Sequence, residues 1–403
     1  MTNNAVSTDN STDTRDYYPA LDEILAAAQR LKSVVTRTPL IRSENLSERY
    51  AADIYLKRED QQLVRSYKIR GAYNKIVSLT AAQQSQGIVW ASAGNHAQGV
   101  ALSASKFKIR AVIVMPESTP LTKVDGVKYY GAEVILAGAN YDEAYAYALA
   151  YGEENSLTFV HPFEDEEVMA GQGTLALDIL DSCNDLDAVV IPVGGGGLIA
   201  GMATAFKSIN PNIEVIGVTA KGAPAFKNSF ELKKPVDSLS VRPIADGIAA
   251  RDKSEITLAY ALKSVDNIIR VDDEQIASAI LFLLVREKLV VEGAGDDSVA
   301  AMLHRKLDHL RSKKVALVLS GGNMDVTLLS VIIEKGLVKS NRKMKLRVTL
   351  VDKPGSLMLL TEVLSKTNAK IVHIGYDRTS ANLEYGDAHV RVEVETKGHS
   401  HQE

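Results

Sequence analysis

The sequence predicts an α/β chain with parallel sheets, followed by a small α+β module, and three observations carry that prediction. From about Leu40 to Ile333, short runs rich in β-branched residues, bounded by glycine, alternate with stretches of helical spacing. Many of these runs are apolar throughout, as strands covered on both faces are, where a half-exposed strand would alternate. At Leu346 the rhythm changes to β-α-β-β, with strands that do alternate.

The elements follow in order. LDEILAAAQRLKSVV, Leu21–Val35, has helical spacing and is broken at Thr38-Pro39-Leu40. The strand GIVWAS, starting at Gly87, precedes a helix near Gly94–Ser105, and Ile109–Pro116 precedes Leu121–Tyr130. Glu133–Gly138 precedes Tyr141–Tyr151, and AVVIPVGGGG, starting at Ala188, precedes Leu198–Ile209. Glu214–Ala220, Asn267–Asp272 and Val315–Gly322 repeat the strand signal. The right-handed crossover rule limits the topology but leaves strand order open. The charged stretch 336–345 reads as a linker, a solvated helix end being the other reading. After it come a strand from Leu346, a Lys353-Pro354-Gly355-Ser356 turn, an amphipathic helix Leu357–Thr367, and strands near Lys370–Asp377 and Ala388–Glu395. The expected organisation is a disordered tail over 1–18, a catalytic domain over 19–335 with a small subdomain inserted at about 55–155, the linker, and the module over 346–403.

Bulk properties bound the function. The 403 residues are 46% hydrophobic and 24% charged, ordinary values for a soluble globular protein with a sizeable core. A net charge of −4 leaves no electrostatic footprint for nucleic acid or an anionic membrane. No apolar run approaches the ~20 residues that span a bilayer. The polar first 16 residues lack the pattern of a signal peptide. The single cysteine, Cys183, can form neither an internal disulfide nor a multi-cysteine metal site, which suits a reduced cytoplasmic setting.

Four segments carry chemistry. In Ser66-Tyr67-Lys68-Ile69-Arg70-Gly71-Ala72 a lysine sits among apolar neighbours at a helix start, where desolvation and the helix N-terminus both favour a neutral amine. That is the form Schiff-base chemistry needs, although a surface lysine is the ordinary alternative. Ser92-Ala93-Gly94-Asn95-His96-Ala97-Gln98-Gly99 joins a strand to a helix with small residues that let backbone N–H groups meet an anion. The ordinary alternative there is a capped turn. Gly194-Gly195-Gly196-Gly197-Leu198 is a phosphate cradle or a tight turn, and four glycines carry an entropic cost that asks for a reason. Ser320-Gly321-Gly322-Asn323 leaves an apolar strand at the end where α/β sheets place ligands.

Taken in this order, with Thr38-Pro39-Leu40, Leu56-Lys57-Arg58-Glu59-Asp60, Ala245-Asp246-Gly247 and Glu292-Gly293-Ala294-Gly295, the chain over about residues 20–335 resembles the fold-type II pyridoxal-phosphate enzymes. Their fold is like that of the tryptophan synthase β subunit, and the threonine dehydratase group among them is the most similar. The resemblance implies two open parallel-sheet subdomains and bound pyridoxal 5'-phosphate. It implies that Lys68 carries the cofactor as a Schiff base and acts as the catalytic base. Asn95 would hydrogen-bond the cofactor's phenolic oxygen, Gly194, Gly195, Gly196, Gly197 and Leu198 its phosphate, and Ser320 its pyridine nitrogen. The backbone of Ser92, Ala93, Gly94, Asn95 and His96 would hold the substrate carboxylate. A serine opposite the pyridine nitrogen is a weaker partner than a carboxylate, which favours loss of a β-leaving group over a long-lived carbanion. The implied reaction is elimination of water from L-threonine, giving 2-oxobutyrate and ammonia, with L-serine giving pyruvate.

Several features separate this reading from its rivals. Serine racemases are similar but carry a second acid/base serine where this chain has Ala93, and acidic metal ligands where Gly217-Val218 is followed here by Thr219-Ala220-Lys221-Gly222; no metal is expected. A hydroxyaspartate dehydratase, a cysteine synthase-like β-replacement enzyme and a non-catalytic amino-acid sensor are further readings. Asp296-Asp297 stands where small residues are common in the group. It reads as a solvated helix start, or else as two carboxylates that alter the chemistry near the cofactor. The C-terminal segment resembles an ACT domain through Asp352-Lys353-Pro354-Gly355-Ser356-Leu357, but the match stops after Val390–Glu395. An amino-acid effector such as isoleucine or valine would bind near Gly355, Ser356 and Leu357, with a structural, dimer-forming appendage as the alternative. A homo-oligomer, dimer or tetramer, is expected by analogy.

Overall fold

A computed structural model describes residues 20–92, 94–237 and 254–403. The expected tail, Ala93 and Ala245-Asp246-Gly247 lie outside the described residues. Contacts divide the chain into two compact units, Met1–Asn323 and Met324–Glu403.

The first unit holds two sheets. Its strands are β1 (Leu40–Arg42), β2 (Asp53–Arg58), β3 (Ile88–Ala91), β4 (Ala111–Met115), β5 (Glu133–Leu136), β6 (Thr158–Phe159), β7 (Ala188–Pro192), β8 (Glu214–Ala220), β9 (Asn267–Val271) and β10 (Lys314–Leu319). Six form one sheet in the order β1-β2-β10-β7-β8-β9, parallel except for the β1–β2 pair. The other four form a parallel sheet in the order β5-β4-β3-β6.

Successive residues of the smaller sheet point to different cores. Ile88, Trp90, Ile113 and Met115 pack on one face; Val89, Ala91, Val112 and Val114 pack on the other. Helices therefore cover both faces, which is why these strands read as unbroken apolar runs. The larger sheet builds its main core from Val189, Ile191, Val215, Ala316 and Val318 against helices Leu21–Leu31, Glu166–Ser182 and Gly197–Ile209.

The 17-residue helix Glu166–Ser182 was not among the elements expected from sequence. It crosses its neighbours at glycines. A methyl on Gly171 would come within 2.5 Å of the Arg70 carbonyl oxygen, and one on Gly201 within 2.2 Å of the Met169 carbonyl oxygen. Glycine inside a helix is costly by propensity and weakens the sequence signal, while tertiary packing requires it here.

The second unit opens with helix Val326–Lys339 and continues with β11 (Lys343–Val351), helix Ser356–Lys366, β12 (Lys370–Asp377), β13 (Asp387–Glu395) and a short helix, His399–Gln402. The sheet is antiparallel in the order β11-β13-β12. Central β13 buries Val390, Val392 and Val394 against Leu364. The stretch 336–345 is thus helix end, turn and strand start, in place of the expected linker. Lys339 and Lys345 are solvated charges on a helix end and an edge strand. Lys343 itself is buried and tied to Glu334 at 2.5 Å and Glu393 at 2.9 Å. Gly355, at φ +91°, turns the chain into the helix that starts at Ser356. Ser356 is buried, and Leu357 is exposed.

Candidate active site

After β2 the chain runs through a turn at Glu59–Gln61 to Ser66, which pairs with Gly321 beyond the end of β10. The Tyr67 N–H donates to the Ser320 carbonyl at 3.1 Å, and the Gly322 N–H donates to the Arg65 carbonyl at 2.8 Å. Backbone bonds therefore stitch the lysine segment to the Ser320 segment, Tyr67 and Ser320 standing 253 positions apart in sequence. Lys68 then opens helix Lys68–Ser78. Its Nζ donates to the Pro162 carbonyl at 3.3 Å and lies 5.2 Å from the Tyr67 ring centroid. Desolvation brings the amine down to about 8, against the opposing pull of the Glu292 carboxylate. The side chain is half-buried, so this amine, which gives up its proton more readily than an ordinary lysine, remains reachable.

Asn95 opens the next helix, Asn95–Phe107, after β3. Its Nδ2 donates to Glu292 Oε1 at 2.5 Å, and its Oδ1 accepts from Asn323 Nδ2. Asn323 Nδ2 also donates to the Val64 carbonyl at 3.1 Å. Before it, the Gly94 N–H donates to Ser92 Oγ at 3.2 Å, and a side chain on Gly94 would meet nothing within 4 Å. That open, extended backbone leaves room for a small anion. His96 points the other way: its side chain is buried, with Nδ1 unpartnered and the ring edge-on to Trp90. His161 is also edge-on to Trp90. Burial first, and the Lys68 charge as well, hold both imidazoles below their ordinary range, His161 at about 4. Both rings are neutral at pH 7, so neither is an acid poised for use.

The glycine loop leaves β7 and enters helix Gly197–Ile209. Gly196 has φ +87°, and a methyl there would come within 2.2 Å of the Phe226 ring; one on Gly195 would come within 2.6 Å of Phe163. Thr257 Oγ1 donates to the Gly195 carbonyl at 2.8 Å and fixes the turn. The first-turn amides of the helix have no intrahelical acceptor, so the loop offers an anion a set of N–H donors. Leu198 is buried in the first turn. Ser320 is buried just beyond β10, where its hydroxyl donates to the Ala294 carbonyl at 3.1 Å. The segments holding Asn95, the glycines and Ser320 thus lie at the C-terminal ends of parallel strands β3, β7 and β10.

Some of the arrangement escaped the sequence reading. Glu59 is buried and accepts from Arg70 at 2.8 and 3.0 Å and from Thr38 Oγ1 at 2.5 Å. Burial alone would raise its pKa, but the Arg70 charge and hydrogen bonds outweigh that and hold it low. Arg70 also reaches Asp178 at 2.6 Å. Three quoted matches, the TPL, LKRED and SYKIRGA segments, are thus tied through one carboxylate. Glu292 stands within Glu292-Gly293-Ala294-Gly295, where the sequence implies no role for it. Its signal was an acidic residue in an otherwise apolar and glycine-rich stretch.

The expected solvated helix start at Asp296-Asp297 is corrected: both residues are fully buried. Helix Asp297–Leu303 packs against strands of the larger sheet, and that packing covers them. None of their four carboxylate oxygens has a hydrogen-bond partner, apart from a weak approach of Asp296 to its own N–H. Burial, then the neighbouring carboxylates, raises both well above the ordinary range.

The donor set fits a phosphorylated aldehyde. It has one reachable amine of lowered basicity, an N–H-lined glycine turn, and a hydroxyl and an amide at strand ends of the two sheets. A family model described as pyridoxal-phosphate dependent enzyme matches residues 31–321. An L-threonine ammonia-lyase of Thermotoga maritima is 45% identical over 383 residues, 95% of this chain and 95% of that protein. Among solved structures, the processed threonine deaminase isoform 2 of Solanum lycopersicum is similar at TM-score 0.75 and 36% identity, over 79% of this chain and 91% of that one. Maize serine racemase is similar at TM-score 0.75 and 34% identity, over 81% of this chain and all of that one.

Proposed function

The chain belongs to the pyridoxal-phosphate dependent enzyme family, and we propose that it is an L-threonine ammonia-lyase, forming 2-oxobutyrate and ammonia, with L-serine as a secondary substrate yielding pyruvate. The observation that carries the reading is the half-buried Lys68 amine, of lowered basicity, with its backbone bonded to the segment that bears Ser320. Similarity to the Thermotoga maritima L-threonine ammonia-lyase across 95% of both chains supports the choice of substrate.

Lys68, Asn95, Gly194–Leu198 and Ser320 would hold the cofactor. Pyridoxal phosphate supplies an electron-withdrawing ring that makes the Cα–H of an attached amino acid acidic. The Lys68 amine takes that proton, its lowered basicity keeping a neutral fraction available near pH 8. The same amine, now charged, returns a proton to the departing β-hydroxyl. The open backbone around Gly94 receives the substrate carboxylate with Ser92, Asn95 and His96; Ala93, the second residue of that segment, bears no ionisable group, which argues against racemisation. Asn95, gripped by Glu292 and Asn323, presents a fixed amide edge. Neutral His96 and His161 keep further positive charge away from Lys68.

A branched-chain amino acid, isoleucine or valine, would act at Gly355–Leu357 in the second unit, and the working form would be a cytoplasmic homo-oligomer. Among the described residues no helix is long and apolar enough to cross a membrane.

The test is 2-oxo acid release from L-threonine, L-serine and D-serine, alone and with isoleucine or with valine, by the wild type and Lys68→Ala. L-threonine is expected to turn over fastest, without racemisation of serine, and Lys68→Ala to abolish turnover and the Schiff-base absorbance. Turnover surviving in Lys68→Ala overturns the assignment of the base. A rate unmoved by isoleucine or valine overturns the effector site.

A further inference from the structure

Glu292 is the group at this site that the reaction as described leaves without a task. It stands in a loop between Leu289 and helix Asp297–Leu303, and its carboxylate rests on the second residue of the Ser320-Gly321-Gly322-Asn323 turn. A methyl on Gly321 would lie 1.9 Å from Glu292 Oε1. Glycine at 321 is therefore what admits the carboxylate. The same oxygen accepts from Asn95 Nδ2 at 2.5 Å, while Asn95 Oδ1 is taken by Asn323. An amide bonded at both ends cannot flip, so its remaining N–H points in one direction. The Glu292 charge also acts on Lys68 and Tyr67 from the facing helix start and on Asp296 along its own loop. His96 and His161 face Lys68 as neutral rings, and Asp296 is driven toward its neutral form. Glu292 is thus the anion whose charge opposes the desolvation of Lys68.

We propose that Glu292 is a positioning residue: its carboxylate, bonded to Asn95 Nδ2 and seated on Gly321, which pairs with Ser66, fixes the orientation of the Asn95 amide and places a negative charge beside the Lys68 segment. This rests on the reading of Lys68 as the cofactor-binding amine. As a positioning residue it works through Asn95 and Lys68. Its charge counters the desolvation that would otherwise strip Lys68 of its proton, leaving an amine that can both accept and return one.

The experiment is competitive reductive methylation of the full-length chain freed of cofactor. Formaldehyde and cyanoborohydride are applied across a pH series, and the Lys68 peptide is read by mass spectrometry. The wild-type midpoint is expected at about 8. Glu292→Gln keeps shape and an acceptor oxygen but loses the charge, and should lower the midpoint by about one unit. Glu292→Asp restores the charge and should return it toward the wild type, which a purely structural role would not do. Gly321→Ala displaces the carboxylate by a different route. It should lower the midpoint likewise and, by freeing the Asn95 amide, weaken pyridoxal phosphate binding about tenfold, as expected for one hydrogen bond to a charged group. If Glu292→Gln fails to fold, Gly321→Ala alone carries the test. A wild-type midpoint retained in the folded variants overturns the proposal. Failure of pyridoxal phosphate to protect Lys68 from methylation in the wild type would instead overturn the reading of Lys68.

Discussion

Asp296→Ala should make the protein more stable, and more so as the pH rises. Asp296 is fully buried, its two carboxylate oxygens lack partners, and the charges acting on it are the carboxylates of Asp297 and Glu292. An unsatisfied buried polar group costs about 1–3 kcal/mol, while the cavity left by so small a truncation is minor. A gain of about 1–3 kcal/mol is therefore expected at acid pH, where the carboxyl is protonated in both the folded and unfolded states, and it grows as the pH rises. The sign of the pH dependence follows from burial. The folded carboxyl is raised well above the free value of 3.8, so between those two values the folded state binds more protons than the unfolded one. Wild-type stability from this group then falls with rising pH, by up to about 1.4 kcal/mol per unit, over the window above 3.8. The variant lacks that term. Urea unfolding at a series of pH values, followed by circular dichroism, measures the difference. A gap between variant and wild type that stays constant with pH, or a variant less stable throughout, would refute the argument and mean that Asp296 has a partner in solution.

Other expectations follow from the same physics. Arg70→Met strands the buried Glu59 carboxylate and should cost about 3–5 kcal/mol, read as a lower urea midpoint. Gly196→Ala forces a side chain into a left-handed backbone position and onto Phe226. It should lower both stability and the fraction of chains carrying the absorbing cofactor, whereas Gly94→Ala, with open space around it, should leave stability within about 0.5 kcal/mol. Stability matching the wild type in Gly196→Ala would mean that the loop is not held as described.

Legibility in the sequence tracked the range of the interactions. Alternation and apolar runs report burial of single strands, so β3, β4, β7, β8 and β10 were readable where they stand. The 17-residue helix Glu166–Ser182 was not, because its glycines answer to backbones they cross elsewhere in the chain. Likewise, charge along 336–345 suggested a linker, although a helix end and an edge strand solvate lysines equally well.

By itself the sequence determined the chemical types at the site: a lysine among apolar neighbours at a helix start, and a tetraglycine turn, an asparagine and a serine, the last three each just past an apolar strand. Local signals suffice for that, since strand ends and helix starts are set by nearby residues. Tertiary structure decided which of these meet and in what electrical surroundings. Asp296 and Asp297 looked like solvent-facing charges at a helix start and are buried, because a helix packed on the sheet covers them. Glu292 acquires Asn95, Gly321 and Lys68 as neighbours only when loops from three distant segments converge. Burial and through-space charge depend on distances that close when the chain folds, and no spacing along the sequence encodes them.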